Sequence, residues 1–180
     1  MSADRSSESK TLLKTSRFTV EQIGQPLSDG SVRKREVVRH PGSVVIIPVV
    51  DDQHVCLIKS LRVAVNETLI ELPAGTLDPN EVPEHCAYRE LTEETGYVAQ
   101  EMTHLVTFYP APGMLDERMH LFLATGLTAG EPAREPGEEI DNMVVTWHDA
   151  FRMVANNEII DAKTIIGLLR YRIWLDGQWA

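Results

Sequence analysis

Three glutamates, Glu90, Glu93 and Glu94, crowd into the stretch RELTEET. At 3.6 residues per turn, Glu90 and Glu94 stand one turn apart on the same side of a helix, with Glu93 beside them. Ala87 and Leu91 point around the cylinder toward whatever the helix packs on. Like charges at that spacing repel, and if they converge in a cleft the pKa of at least one rises unless a cation or a proton joins them. A hard divalent cation with oxygen ligands, most naturally Mg²⁺ and with Mn²⁺ as a substitute, satisfies such a set. Taken alone, the three residues read more simply as an acidic, solvated helix face, so the surrounding sequence has to decide.

The carrying helix is marked at both ends. Pro83 suits the first helical turn, and Gly96 after Thr95 is a left-handed stop. Before it, TLIEL (Thr68 to Leu72) reads as a short strand, stopped by Pro73 and followed by Gly75 in a loop. Further upstream, Arg17 to Ile23 and Ser31 to Arg39 flank a turn at Ser28, Asp29 and Gly30, a hairpin signal. The apolar, β-branched runs Ser43 to Val50 and His54 to Leu61 form a second antiparallel pair. Downstream, Thr103 to Tyr109 and Met119 to Leu127 read as strands joined by the loop Pro110 to Arg118. A polar, acidic surface loop over Thr128 to Asp141 precedes a last strand, Met143 to Trp147. Two helices close the chain: one is capped by Asp149 and runs to about Ala155, and one is capped by Asp161 and carries Ile165, Leu168, Leu169 and Ile173. Strands first, a central helix, more strands and terminal helices predict an α/β (α+β) domain, a mixed sheet with helices packed on its faces.

The chain has 180 residues, a length that suits one domain. Seventeen Lys and Arg against 27 Asp and Glu leave a net charge of -10, which repels nucleic acid polymers and anionic membrane surfaces. No apolar run approaches a membrane span, and MSADRSSESK lacks the apolar core of a secretory signal. These features predict a cytoplasmic protein with a disordered tail over 1–16. Cys56 and Cys86 form no CxxC pair and read as small buried residues in a reducing compartment.

Written out, the central stretch is Gly75, five residues, Glu81, seven residues, Arg89-Glu90-Leu91, one residue, Glu93-Glu94, one residue, Gly96-Tyr97. This pattern resembles the signature of the Nudix hydrolases at every fixed position; seven specified residues match by chance on the order of once in a million chains this long. Tyr97 stands where an aliphatic residue is commoner, at a packing position. The resemblance implies a Nudix fold over 41–180, with the hairpin 17–40 as an N-terminal extension. It also implies a loop-helix-loop that holds divalent metal against a diphosphate while water attacks. By the same resemblance Glu90 and Glu94 are metal ligands, Glu93 is a ligand or the base, and the Ala74 carbonyl completes the shell. Arg89 orients the glutamates, and Gly75 and Gly96 allow the tight loops at either end.

Features outside the signature narrow the resemblance toward ADP-ribose and other nucleoside diphosphate sugar pyrophosphatases. They are ELPAG (Glu71 to Gly75) with Arg62 upstream, and Pro112 beyond the helix. The loop PGMLDER offers Glu117 as a second candidate for the catalytic glutamate. Arg39, at a strand end before His40 and Pro41, resembles an arginine directed at substrate. These resemblances imply a nucleotide sugar as substrate, with GDP-mannose as an alternative to ADP-ribose. They also imply a homodimer in which the N-terminal hairpin is exchanged. Phe18 is a candidate to stack on the nucleobase, with core packing as its simpler role.

Overall fold

The protein was analysed as a computed structural model that describes residues 9–134, 137 and 139–177. The elements run β1 (Ser9–Lys14), β2 (Thr19–Pro26), β3 (Val32–Arg39), β4 (Ser43–Asp51), β5 (His54–Arg62), β6 (Glu67–Glu71), β7 (Ala74–Thr76), α1 (Pro83–Thr95), β8 (Glu101–Phe108), β9 (Met119–Thr125), β10 (Ile140–Thr146), α2 (Trp147–Ala155) and α3 (Ala162–Leu175). The first three strands form an antiparallel sheet in the order β1-β2-β3. The remaining seven form a mixed sheet ordered β10-β5-β4-β9-β8, with β6 added to β5 and β7 added to β4.

Strand β4 organises the body. Its side chains alternate between the two faces of the sheet. Val45 and Ile47 enter one core with Leu57, Leu72, Leu121, Leu168 and Tyr171. Val44 and Ile46 enter a second core with Cys86, Ala87 and Leu91 of α1 and with Phe122 and Ala124 of β9. A strand buried on both faces reads as an unbroken apolar run, which is why SVVII shows no polar alternation. β4 runs parallel to β9, from Ser43 opposite Met119 to Pro48 opposite Ala124, and the connection between them contains α1. On its other side β4 takes the short strand β7, which sets Gly75 opposite Val44. That pairing brings the loop before α1 up against the sheet.

Helix α1 begins with Pro83 and ends on Gly96, whose φ of 78° is left-handed, as the sequence predicts. Four details differ from the sequence reading. Ser9–Lys14, expected in a disordered tail, is strand β1; it pairs antiparallel with β2 from Ser9 opposite Ile23 to Lys14 opposite Thr19, so the expected hairpin is a three-stranded sheet. Residues 1–8 lie outside the described residues. Gly75, expected in a loop, is the middle of β7. Helix α2 is capped by Thr146, whose hydroxyl oxygen accepts from the Asp149 backbone N–H at 3.0 Å; Asp149 instead accepts from that hydroxyl at 2.8 Å. Trp147, expected to end the strand, therefore opens the helix. Asp161 does cap α3, accepting from the Thr164 N–H at 2.9 Å. The acidic stretch 128–141 includes residues 135, 136 and 138, which lie outside the described residues, and β10 already starts at Ile140.

Both cysteines are free and buried, and burial raises the Cys56 pKa to about 11. Among the described residues no helix is long and apolar enough to cross a membrane. Adjacent leucines of α3 test the packing. Leu168 is fully buried and Leu169 is 47% exposed. Leu168→Ala is expected to cost about 2–5 kcal/mol of unfolding free energy in urea, and Leu169→Ala to stay within about 0.5 kcal/mol.

Candidate active site

Arg89 joins the acidic side chains of the α1 loop-helix unit. Its Nε and Nη2 donate to the two carboxylate oxygens of Glu81, each at 3.0 Å. Its Nη1 donates to Glu90 Oε1 at 2.7 Å and to Glu93 Oε2 at 2.9 Å. The fork on Glu81 is the bidentate geometry in which a guanidinium binds a carboxylate most strongly. Glu81 also accepts from the Asp78 N–H at 2.9 Å, closing the turn before α1. The Arg89 bond holds the Glu81 carboxyl at about 2 against an ordinary 4.5, with burial opposing and the Asp78 N–H assisting. In return Glu81, ahead of Glu90 and Glu93, raises the Arg89 pKa.

Glu94 is buried, and its Oε2 accepts from the Ala74 N–H at 2.9 Å, which ties α1 to β7. Gly75 makes room for Glu90: a Cβ at that position would sit 1.8 Å from Glu90 Cδ. A side chain there displaces the Glu90 carboxylate from this position, so the glycine at the start of the signature leaves the space the carboxylate occupies. Gly96 is required twice, by its positive φ and because a Cβ would lie 2.5 Å from the Gly130 carbonyl. The last carbonyls of α1, which a helix leaves unpaired, are taken by the loop after β9 and by β10. Glu93 O accepts from Ala133 N at 3.0 Å, Glu94 O from Arg134 Nε at 3.1 Å and Thr95 O from Asn142 Nδ2 at 2.7 Å.

Glu90, Glu93, Glu94, Arg89, Ala74 and Gly75 line a cleft of about 740 Å³. Lys14, Arg17, Phe18, Arg39, His40 and Arg62 line the same cleft. One cavity therefore holds three carboxylates of α1 and a set of cations from β1–β3 and β5. Arg39 bonds Glu21 at 2.9 Å and Asp116 at 3.0 Å. Arg62 grips Glu71 through two bonds of 2.8 and 2.6 Å. Phe18, whose simpler role is core packing, is 38% exposed and lines the cleft.

Three residues expected at the site do not line this cleft. Glu71 is 1% exposed and lies behind Arg62, which takes both its oxygens. Burial opposes its charge, but Arg62 and Lys163 outweigh burial and lower its pKa. Pro112 sits exposed in the loop before β9. Glu117 is held beside β4, where its Oε1 accepts from Ser43 Oγ at 2.7 Å and lies 3.5 Å from His40 Nδ1. Its loop is fastened to β3 by Val38 N to Met114 O at 2.8 Å and Asp116 N to Val38 O at 3.1 Å. Lys14 and Arg17 line the cleft from a segment whose sequence reads as a polar tail and a strand start.

The acidic set suits a hard cation, because every side-chain donor is a carboxylate oxygen. Among the described residues no three Asp, Glu, His or Cys side chains converge as a finished ligand cage. Arg89 Nη1 sits between Glu90 and Glu93 and engages an oxygen of each.

The sequence profile of the NUDIX domain matches residues 39–166. The chain belongs to the Nudix hydrolase family. Similar proteins include an ADP-ribose pyrophosphatase of Bacillus subtilis (strain 168), 40% identical over 167 residues that cover 89% of this chain and 90% of that protein. A GDP-mannose pyrophosphatase of Shigella flexneri is 35% identical over 175 residues, 89% of this chain and 90% of that one. Among solved structures, an ADP compounds hydrolase superposes with a TM-score of 0.83 at 26% identity, covering 96% of this chain and 94% of its own.

The bond between Arg89 and Glu81 has a pH signature in this Nudix hydrolase. A carboxylate with a depressed folded pKa stabilises fully above its unfolded pKa, and that stability is lost as pH falls through the folded value. Glu81→Gln is therefore expected to be less stable than wild type above pH 4.5, with the gap closing as pH falls toward 2. Urea unfolding at a series of pH values measures that gap.

Proposed function

We propose that this Nudix hydrolase cleaves the diphosphate bond of ADP-ribose or a closely related nucleoside diphosphate sugar, releasing a nucleoside monophosphate and a sugar phosphate. The observation that carries the reading is the cleft that combines Glu90, Glu93 and Glu94 with Lys14, Arg17, Arg39 and Arg62. A diphosphate diester is an anion with an organic group at each end. It needs cations along its phosphates and enough volume for both groups, and about 740 Å³ falls in the range of small-molecule sites.

Glu90 and Glu94, with Glu93 and the Ala74 carbonyl, would hold Mg²⁺ or Mn²⁺. The ion supplies charge neutralisation at phosphorus and a more acidic water when bound. Arg89 keeps Glu90 and Glu93 at fixed positions on α1. Arg62 and Arg39 bind the phosphates, and the exposed ring of Phe18 offers a face to the nucleobase. Glu93 takes the proton of the attacking water; Glu117 takes that role only if its loop releases Ser43. The water oxygen joins one phosphorus, the bridging P–O bond breaks, and the departing phosphate keeps the bridging oxygen. A homodimer built through β1–β3 belongs to the same reading, supported by the exposure of Leu12, Leu13 and Val32 on that sheet.

The likeness to GDP-mannose pyrophosphatase supports a second substrate, GDP-mannose, on the same site. A nucleotide-binding module without activity is disfavoured, since such a module has no need of all three glutamates. A panel of nucleotide sugars assayed with Mg²⁺ and with Mn²⁺, products read by mass in ¹⁸O-labelled water, decides among these readings and identifies the phosphorus attacked. Glu94→Gln is expected to fold normally and to lose roughly a hundredfold or more in kcat; wild-type turnover in that variant would contradict the proposal. Gly75→Ala, which drives a methyl group into Glu90, is expected to weaken Mn²⁺ binding about 10- to 100-fold by calorimetry.

A further inference from the structure

Lys163 occupies a position that does not favour a lysine. It is the second residue of α3, where the helix dipole repels a cation, and it is only 8% exposed, although lysine is almost never buried unless paired. Its ammonium meets two carboxylates, Glu71 and, at 3.1 Å, Asp161. Asp161 is already committed to capping α3 through the N–H and hydroxyl of Thr164. Glu71 is committed to Arg62, whose Nε and Nη2 lie on its two oxygens. The Thr164 hydroxyl also accepts from the Leu72 N–H at 2.8 Å, locking the start of α3 to the residue after Glu71.

We infer that Lys163 is a positioning residue for substrate: it holds the buried Glu71 carboxylate in place, and Glu71 in turn fixes the guanidinium of Arg62 at the wall of the cleft. Arg62 lines the cleft while Glu71 and Lys163 do not, so the chain from Lys163 to Glu71 to Arg62 reaches from α3 to the wall of the cleft. The charges explain the need for a second cation. A lone buried pair of Glu71 and Arg62 would tie the arginine's charge to one carboxylate, whereas Lys163 shares that carboxylate and leaves more of the Arg62 field for an anionic ligand. The inference rests on the reading of the cleft as a diphosphate site, with Arg62 as one of its phosphate contacts.

The test is a cycle of variants, Lys163→Met, Arg62→Met and the double variant, titrated with ADP in the presence of Mg²⁺ by calorimetry. KM and kcat for ADP-ribose are measured in parallel. Lys163→Met is expected to weaken ADP binding and raise KM about tenfold with kcat little changed, and to add almost nothing once Arg62 is gone. Lys163→Arg, which keeps the charge, is expected to restore most of the binding. Unchanged ADP affinity in folded Lys163→Met, or an equal loss with and without Arg62, would overturn the inference. If Lys163→Met does not fold, Lys163→Gln carries the same expectation and the same refutation. Loss of folding in both neutral variants would make the lysine a stability element and would overturn the inference as well. Wild-type protein that binds ADP without hydrolysing ADP-ribose would defeat the substrate reading while leaving the Lys163 cycle decidable. Wild-type protein that does not bind ADP would defeat both.

Discussion

Everything at the site depends on how four acidic side chains are held close together in a protein that already carries a net charge of -10. Repulsion alone would scatter Glu81, Glu90 and Glu93 into solvent. One guanidinium prevents this: Arg89 spends both edges of its fork on Glu81 and its remaining amino group on Glu90 and Glu93. Glu94 is held separately, by the Ala74 backbone N–H. Glu90 in turn occupies the space that Gly75 leaves by having no side chain. The spacing of the signature is the record of these contacts.

The sheet makes the arrangement rigid. Because β4 is buried on both faces, α1 on one side and α3 on the other are indexed to the same strand. β7 then pairs with β4 and carries Ala74 and Gly75 to the acidic edge of α1. The loop after β9 and strand β10 close the far end by satisfying the last carbonyls of the helix.

What the sequence discloses and what it conceals follow from the range of the interactions. The limits of α1 are local, set by Pro83 and Gly96, and both are legible. So are β4 and β5 at the centre of the mixed sheet, since both are apolar runs rich in β-branched residues. The short strand β7 is not legible, because AGT after Pro73 has the composition of a loop and is strand through its pairing with β4. Strand β1 is hidden for a related reason: SKTLLK follows a polar, Ser-rich stretch, and it is a strand through its pairing with β2. Glu71 illustrates the same limit at the site. Its motif points toward substrate, but its partners are Arg62 and the distant Lys163, and no local pattern reveals that this carboxylate is buried between them. Thr146 shows that a nearer capping residue can be overlooked when a more conspicuous Asp149 follows it.

The central claim is that Glu90 and Glu94, fixed on α1, grip a divalent cation against a diphosphate. Anomalous diffraction from a crystal grown with Mn²⁺ and a slowly cleaved nucleotide sugar analogue tests it most directly. The account predicts a manganese peak bonded to carboxylate oxygens of Glu90 and Glu94 and to the diphosphate. Carboxylates turned to bulk solvent with no manganese against them, while the nucleotide lies in the cleft, would contradict it.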